Sequence, residues 1–100
     1  MRALQYGAAL AALLAFPAQS QVLDEGRKLF TGVTPACALC HALKHAGAEG
    51  AVGPSLDELK PDQERVVKAL RNGIGQMPAF PQLTEAQVQL LAKYVEQVTK

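Results

Sequence analysis

Apolar residues recur at helical spacing in three stretches of the chain, and loops rich in glycine and proline separate them. The first stretch, Val22 to Phe30, predicts a short helix. Asp24 and Glu25 come early in it and Arg27 and Lys28 late, the order that the helix dipole favours. Gly26 costs such a helix about 1 kcal/mol relative to alanine. A close crossing by another helix would compensate, with Phe30 one turn on along the same face. The second stretch, Pro61 to Asn72, has Val66, Ala69, Leu70 and Gly73 at i, i+3, i+4 and i+7. Pro61 suits its first turn, Asn72-Gly73 stops it, and Glu64, Arg65, Lys68 and Arg71 form a solvated face. The third starts at Leu83, with Thr84 and Gln87 as a capping box and Leu83 with Val88 as a hydrophobic staple. Val88, Leu91, Ala92 and Val95 are its buried stripe, and Tyr94 flanks it.

Between these lie the breakers. Thr31 to Ala36 is a loop around Gly32 and Pro35. Ala42 to Ala46 follows a helical pattern up to Gly47. Gly47 to Gly53 has a glycine every third residue and predicts a bare, flexible loop. It is not a phosphate loop, because no strand precedes it and the G-x-G-x-x-G spacing is absent. No convincing strand, internal repeat or low-complexity segment is present.

The first twenty residues carry a different pattern. Met1-Arg2 is followed by an apolar run from Ala8 to Phe16 and then by Ala18-Gln19-Ser20. One positive charge, a short apolar core and small residues two apart predict a signal peptide over 1–20, cut after Ser20. The alternative is an uncleaved amphipathic anchor. The run is too short to span a bilayer of ~30 Å, and no cysteine near the cut could take a lipid. The mature domain would then be residues 21–100, exported to the periplasm and free of stable membrane insertion. Without Arg2, nine basic residues face nine acidic ones. No basic stripe is offered to nucleic acid or to lipid.

Export brings thiols into an oxidising compartment where they normally pair. Here Cys37-Ala38-Leu39-Cys40-His41 reads C-x-x-C-H, the attachment signature of haem c. Thiols three residues apart share one face of a helical turn. They can capture the two vinyl groups of a porphyrin as thioethers, with His41 facing the iron. A Cys37–Cys40 disulfide or a thioredoxin-like pair would want a βαβ setting. A zinc site from Cys37, Cys40, His41 and His45 would crowd four ligands into nine residues. His45, one helical turn after His41, reads as a partly exposed surface histidine. An eighty-residue chain buries little apolar surface, and a haem would supply the missing core.

Two further residues suit the same group. Pro54, in Gly53-Pro54-Ser55-Leu56, offers a carbonyl from a stiff turn to the Nδ1–H of His41. A ligating histidine needs such a partner to fix its tautomer and ring plane. Met77 lies in Gly73-Ile74-Gly75-Gln76-Met77-Pro78-Ala79-Phe80-Pro81, and it is the only methionine after residue 20. Methionine is commonly core filler. With an iron needing a sixth ligand, its place after a helix and directly before a proline makes it the expected one.

Gly26 and Phe30, Cys37 to His41, Gly53-Pro54, Met77-Pro78, and Leu91 with Tyr94 occur in that order behind an export signal. In this the chain resembles the small class I c-type cytochromes. The resemblance implies an all-α fold, helices wrapped around one covalent haem, with the first and last helices crossing near Gly26, Phe30, Leu91 and Tyr94. It implies His41 and Met77 as axial ligands and the Pro54 carbonyl as partner of His41. Family members of greater length have extra loops and a tryptophan that this chain lacks, so bonding to the haem propionates has no assigned residue. The segments Gly53–Leu56 and Met77–Phe80 are also similar to those of cytochromes that accept electrons from bacterial sulfite dehydrogenases.

Iron with six ligands in both oxidation states leaves no place for a substrate, and methionine ligation raises its potential. The expected function is therefore a one-electron carrier and not an enzyme. A periplasmic dehydrogenase would be the donor, and an oxidase or another cytochrome the acceptor. The haem edge would be ringed by Ala36, Ala38 and Ala79. Two rivals remain: an open-iron haem enzyme or gas sensor, and a haem-free binding module with a disulfide.

Overall fold

The computed structural model describes residues 18–100. The signal-peptide expectation lies outside the described residues as far as residue 17. Eight elements follow in chain order: α1 (Gln19–Gly32), α2 (Cys37–Cys40), β1 (Ala42–Leu43), a 3-10 turn (Lys44–Ala46), β2 (Ala48–Glu49), α3 (Leu56–Leu59), α4 (Gln63–Asn72) and α5 (Glu85–Val98). Among the described residues the fold is all-α apart from one two-residue ladder and an isolated bridge between Ile74 and Met77. No helix among the described residues is long and apolar enough to cross a membrane.

α1 runs beyond both ends of the predicted Val22–Phe30. At its start the Ala18 N–H donates to the Gln21 side chain at 3.2 Å, and at its end Val33 N–H donates to the Leu29 carbonyl at 3.1 Å. The expected cut after Ser20 falls within its first turn. Val22, Gly26 and Phe30 are its buried positions, spaced one turn apart.

α1 and α5 pack on each other, and α4 packs on α5. The crossing of α1 with α5 centres on Gly26. A Cβ there would stand 2.7 Å from Tyr94 Cδ1 and closer still to Tyr94 Cβ and Cγ. Tyr94 therefore does not flank the stripe but is fully buried, with Phe30 tilted against it at a ring-centroid distance of 6.3 Å. The core gathers Phe30, Leu43, Leu56, Leu70, Phe80 and Leu91.

The predicted helix over Ala42–Ala46 is replaced by a hairpin. The backbone turns extended at His41 (φ −116°, ψ 136°), β1 and β2 pair antiparallel, and Gly47 adopts φ +65° between them. Tertiary contacts override local pattern here. Asp57 of α3 accepts from the Lys44 N–H at 2.8 Å, and Leu43 is driven wholly into the core. The Gly47–Gly53 stretch is correspondingly not a bare loop, since β2 occupies part of it and Gly50 packs against Cys40.

α3 is a single turn capped by Ser55, too short to show a hydrophobic period. α4 begins two residues later than predicted, because the Asp62 carboxylate accepts from Arg65 N–H at 2.8 Å and caps it. Pro61 thus precedes the cap and is buried. Its buried stripe centres on Val67 and Leu70, with Val66 and Ala69 half-buried beside them. α5 has the expected box: Gln87 N–H donates to Thr84 Oγ1 at 3.1 Å and Thr84 N–H to Gln87 Oε1 at 2.9 Å.

Candidate haem site

Cys37 and Cys40 open and close α2, a single turn secured by His41 N–H donating to the Cys37 carbonyl at 2.9 Å. Both thiols are free and partly exposed. Burial pushes the Cys37 thiol up to about 11, a backbone hydrogen bond works against this, and neighbouring Cys40 adds to it. This is the opposite of the depressed thiol found in redox-active pairs. No cluster of three or more histidine, cysteine or acidic side chains among the described residues could hold a metal ion, which disfavours the zinc arrangement.

The His41 ring is held by the turn that follows the hairpin. Its Nδ1 lies 2.7 Å from the Pro54 carbonyl oxygen, which can only accept, so Nδ1 carries the proton. The Nε2 lone pair is thereby left as the donor for a metal. Gly53 lies flat on the ring: a Cβ at that position would stand 2.7 Å from Cε1, 2.9 Å from Nδ1 and 3.2 Å from Nε2. Gly53 N–H also donates to the Cys40 carbonyl at 2.6 Å. Gly50 covers the other side of the same backbone, its missing Cβ 2.6 Å from the Cys40 carbonyl carbon. Two glycines thus let two strands of chain close on Cys40-His41, where any side chain would push them apart.

Met77 sits half-buried at the end of a tight turn. Ile74 N–H donates to the Met77 carbonyl at 3.0 Å and Met77 N–H to the Ile74 carbonyl at 2.9 Å. Gly75 supplies φ +57° inside this turn. Gly73 takes φ +69° at its neck, where a Cβ would meet the Met77 carbonyl oxygen at 2.7 Å. Phe80 N–H donates to the Leu70 carbonyl at 2.7 Å, tying the loop back to α4. Cys37, Ala38 and Met77 all pack against one buried cluster.

The donor set fits haem c. It offers two thiols a turn apart, an imidazole with its Nε2 uncommitted, and a thioether on a braced loop. The glycine cradle around His41 holds the ring edge-on to its carbonyl partner. Ala36, Ala38 and Ala79 are half-buried, whereas the exposed large apolar side chains are Leu39 (69%), Val52 (72%) and Ile74 (69%). Leu39 lies inside the C-x-x-C-H turn itself.

His45 does more than sequence reasoning foresaw. It does not stand beside His41 on a helix; it reaches the helix crossing. Its Nδ1 is 2.8 Å from the Tyr94 hydroxyl, and its Nε2 is 3.4 Å from an Arg27 guanidinium nitrogen. Guanidinium only donates, so Nε2 accepts and Nδ1–H donates to the Tyr94 oxygen. Nothing in the local pattern signalled this contact, because it joins residues 49 apart.

Residues 21–95 match the protein family described as cytochrome c oxidase, cbb3-type, subunit III. Among solved structures, the c-type cytochrome SorU from Sinorhizobium meliloti is similar, at 50% identity and a TM-score of 0.77 over 81% of this chain and 94% of that one. No curated protein matches.

Proposed function

Because the chain belongs to the c-type cytochromes, in the family described as cytochrome c oxidase, cbb3-type, subunit III, and so is an electron carrier with covalent haem c, we propose that it works as a periplasmic one-electron carrier whose haem is held by Cys37, Cys40, His41 and Met77. The haem, when bound, supplies a one-electron ferric–ferrous couple. The chain's own residues determine how that couple behaves. Cys37 and Cys40 would hold the group as thioethers, so that it cannot dissociate. The Pro54 carbonyl keeps His41 in one tautomer and one ring orientation. Met77, delivered by a loop hydrogen-bonded to itself, completes the ligand set and raises the potential.

The observation that carries this reading is the His41 ring, fixed through Nδ1 with Gly53 flat against it, which presents Nε2 alone to a metal. With His41 and Met77 both ligating, a substrate would have no site on the iron, and the protein would act as carrier and not as enzyme. The exposed Leu39, Val52 and Ile74 suit brief contact with redox partners. The similarity of Gly53–Leu56 and Met77–Phe80 to cytochromes that serve bacterial sulfite dehydrogenases makes such a dehydrogenase the proposed donor, with an oxidase or another cytochrome as acceptor.

Carbon monoxide tests the ligand set. Added to the reduced holoprotein, it should leave the absorption spectrum almost unchanged on mixing, with only slow uptake afterwards, and an immediate large shift would mean open iron and defeat the carrier reading. Intact mass of the exported protein should equal residues 21–100 plus one haem. Rapid mixing of the oxidised cytochrome with a sulfite dehydrogenase and sulfite tests the donor, and no reduction would remove that partner.

A further inference from the structure

The loop that carries Met77 has several restraints, and most of them are local. The Ile74–Met77 turn closes on itself, Phe80 is bonded to Leu70, and Arg71 pairs with Glu85 across the loop's neck. All of these tie the loop to α4, α5 or itself. None reaches the thiol-bearing segment, although a haem must be gripped between the two.

One contact does. Gln82, five residues after Met77, donates its side-chain Nε2–H to the Thr34 carbonyl at 2.8 Å, and Thr34 is three residues before Cys37. Among the described residues it is the one side-chain hydrogen bond that joins the 73–83 loop to the 31–36 loop. Both residues are exposed, and they are 48 positions apart in the chain. Thr34 lies between the end of α1 and the start of α2, so its carbonyl is free of any helix ladder. A backbone carbonyl can only accept, so the bond requires a donor at position 82.

We propose that Gln82 is a positioning residue that latches the Met77 loop to the segment entering Cys37, and so sets how often the methionine side of the haem crevice opens. The proposal rests on the reading of Met77 as an iron ligand. Opening of the loop releases Met77 and breaks the Gln82–Thr34 bond together. Loss of one exposed hydrogen bond shifts such an equilibrium by about five-fold.

The test uses the holoprotein as wild type, Gln82→Ala, Gln82→Glu, Gln82→Lys and Met77→Ala. Glutamate keeps the length of glutamine without its N–H, whereas lysine restores a donor. Two quantities are measured: the rate of carbon monoxide uptake by the reduced protein, and hydrogen exchange at the Phe80 amide, whose bond to the Leu70 carbonyl ties the loop to α4. Gln82→Ala and Gln82→Glu should raise both about five-fold, and Gln82→Lys should return them close to wild type. A Gln82→Glu protein indistinguishable from wild type, or a Gln82→Lys protein as open as Gln82→Ala, overturns the latch. Met77→Ala isolates the underlying reading: if it takes up carbon monoxide no faster than wild type, Met77 is no ligand. Amide exchange then still decides whether Gln82 holds the loop.

Discussion

Tyr94 fills the space that any side chain at position 26 would need. The absent Cβ of Gly26 would lie 2.7 Å from Tyr94 Cδ1 and nearer to Cβ and Cγ, all of them in a residue with no solvent exposure. The two terminal helices meet as backbone on ring. This approach also brings the Tyr94 hydroxyl out to His45, and so joins the helix crossing to the hairpin next to the haem-binding turn.

Gly26→Ala should therefore destabilise the protein, although alanine is the better helix former by about 1 kcal/mol. Overpacking of this kind costs roughly 1–3 kcal/mol. Chemical denaturation of the holoprotein measures it. A gain in stability would mean that the helices slide apart without penalty.

Gly53→Ala and Pro54→Ala separate two kinds of support for His41. Alanine at 53 puts a methyl 2.7 Å from His41 Cε1, so the ring or its neighbour must shift. The midpoint potential and the absorption spectrum should both change. Pro54→Ala keeps the carbonyl and loses only stiffness, lowering stability by up to about 1 kcal/mol. Potentiometry and denaturation of the two variants should diverge in this way, and identical behaviour would count against the cradle.

Met77 distinguishes a carrier from an open haem protein. Met77→His should lower the potential while six ligands remain, and Met77→Ala should create carbon monoxide binding and peroxidase-like activity. Leu70→Ala and Phe80→Ala, at buried positions, should instead cost about 2–5 kcal/mol of stability. If Met77→Ala left potential and spectrum alone, Met77 would be core packing.

Acid should loosen the neck of the Met77 loop. The Glu85 carboxyl is held below its ordinary value of 4.5, first by the hydrogen bond from Gln89; desolvation opposes this, and the hydrogen bond and charge of Arg71 add to the lowering. A carboxylate lowered in the folded state stabilises above its unfolded value, and that contribution is lost as pH falls through the folded one. The stability difference between wild type and Glu85→Gln should thus be present at neutral pH, narrow below 4.5 and vanish in stronger acid. Being exposed, it should be small and shrink with added salt. Denaturation curves at several pH values test the sign.

Much of this was legible because the signals were local. The Thr84–Gln87 box needs only four residues, and the glycine in α1 needed a reason that a helix crossing supplies. The C-x-x-C-H turn likewise carries its geometry within itself. What escaped was long-range and polar. Ala42 to Ala46 has a helical pattern, yet Asp57 and the burial of Leu43 turn it into a hairpin. α3 is too short to show any period. The Gln82–Thr34 and His45–Tyr94 bonds join residues 48 and 49 apart, and no pattern along the chain records such a pairing.

The raised Cys37 thiol bears on the timing of haem attachment. To form a Cys37–Cys40 disulfide by exchange, Cys37 must act as a nucleophile whichever sulfur is oxidised first: it attacks the external oxidant, or it resolves the mixed disulfide on Cys40. With its thiol pushed up to about 11, only about one molecule in ten thousand carries that thiolate at pH 7. A folded, haem-free chain should therefore form that disulfide more slowly than one with two ordinary thiols, although the higher nucleophilicity of such a thiolate offsets part of the effect.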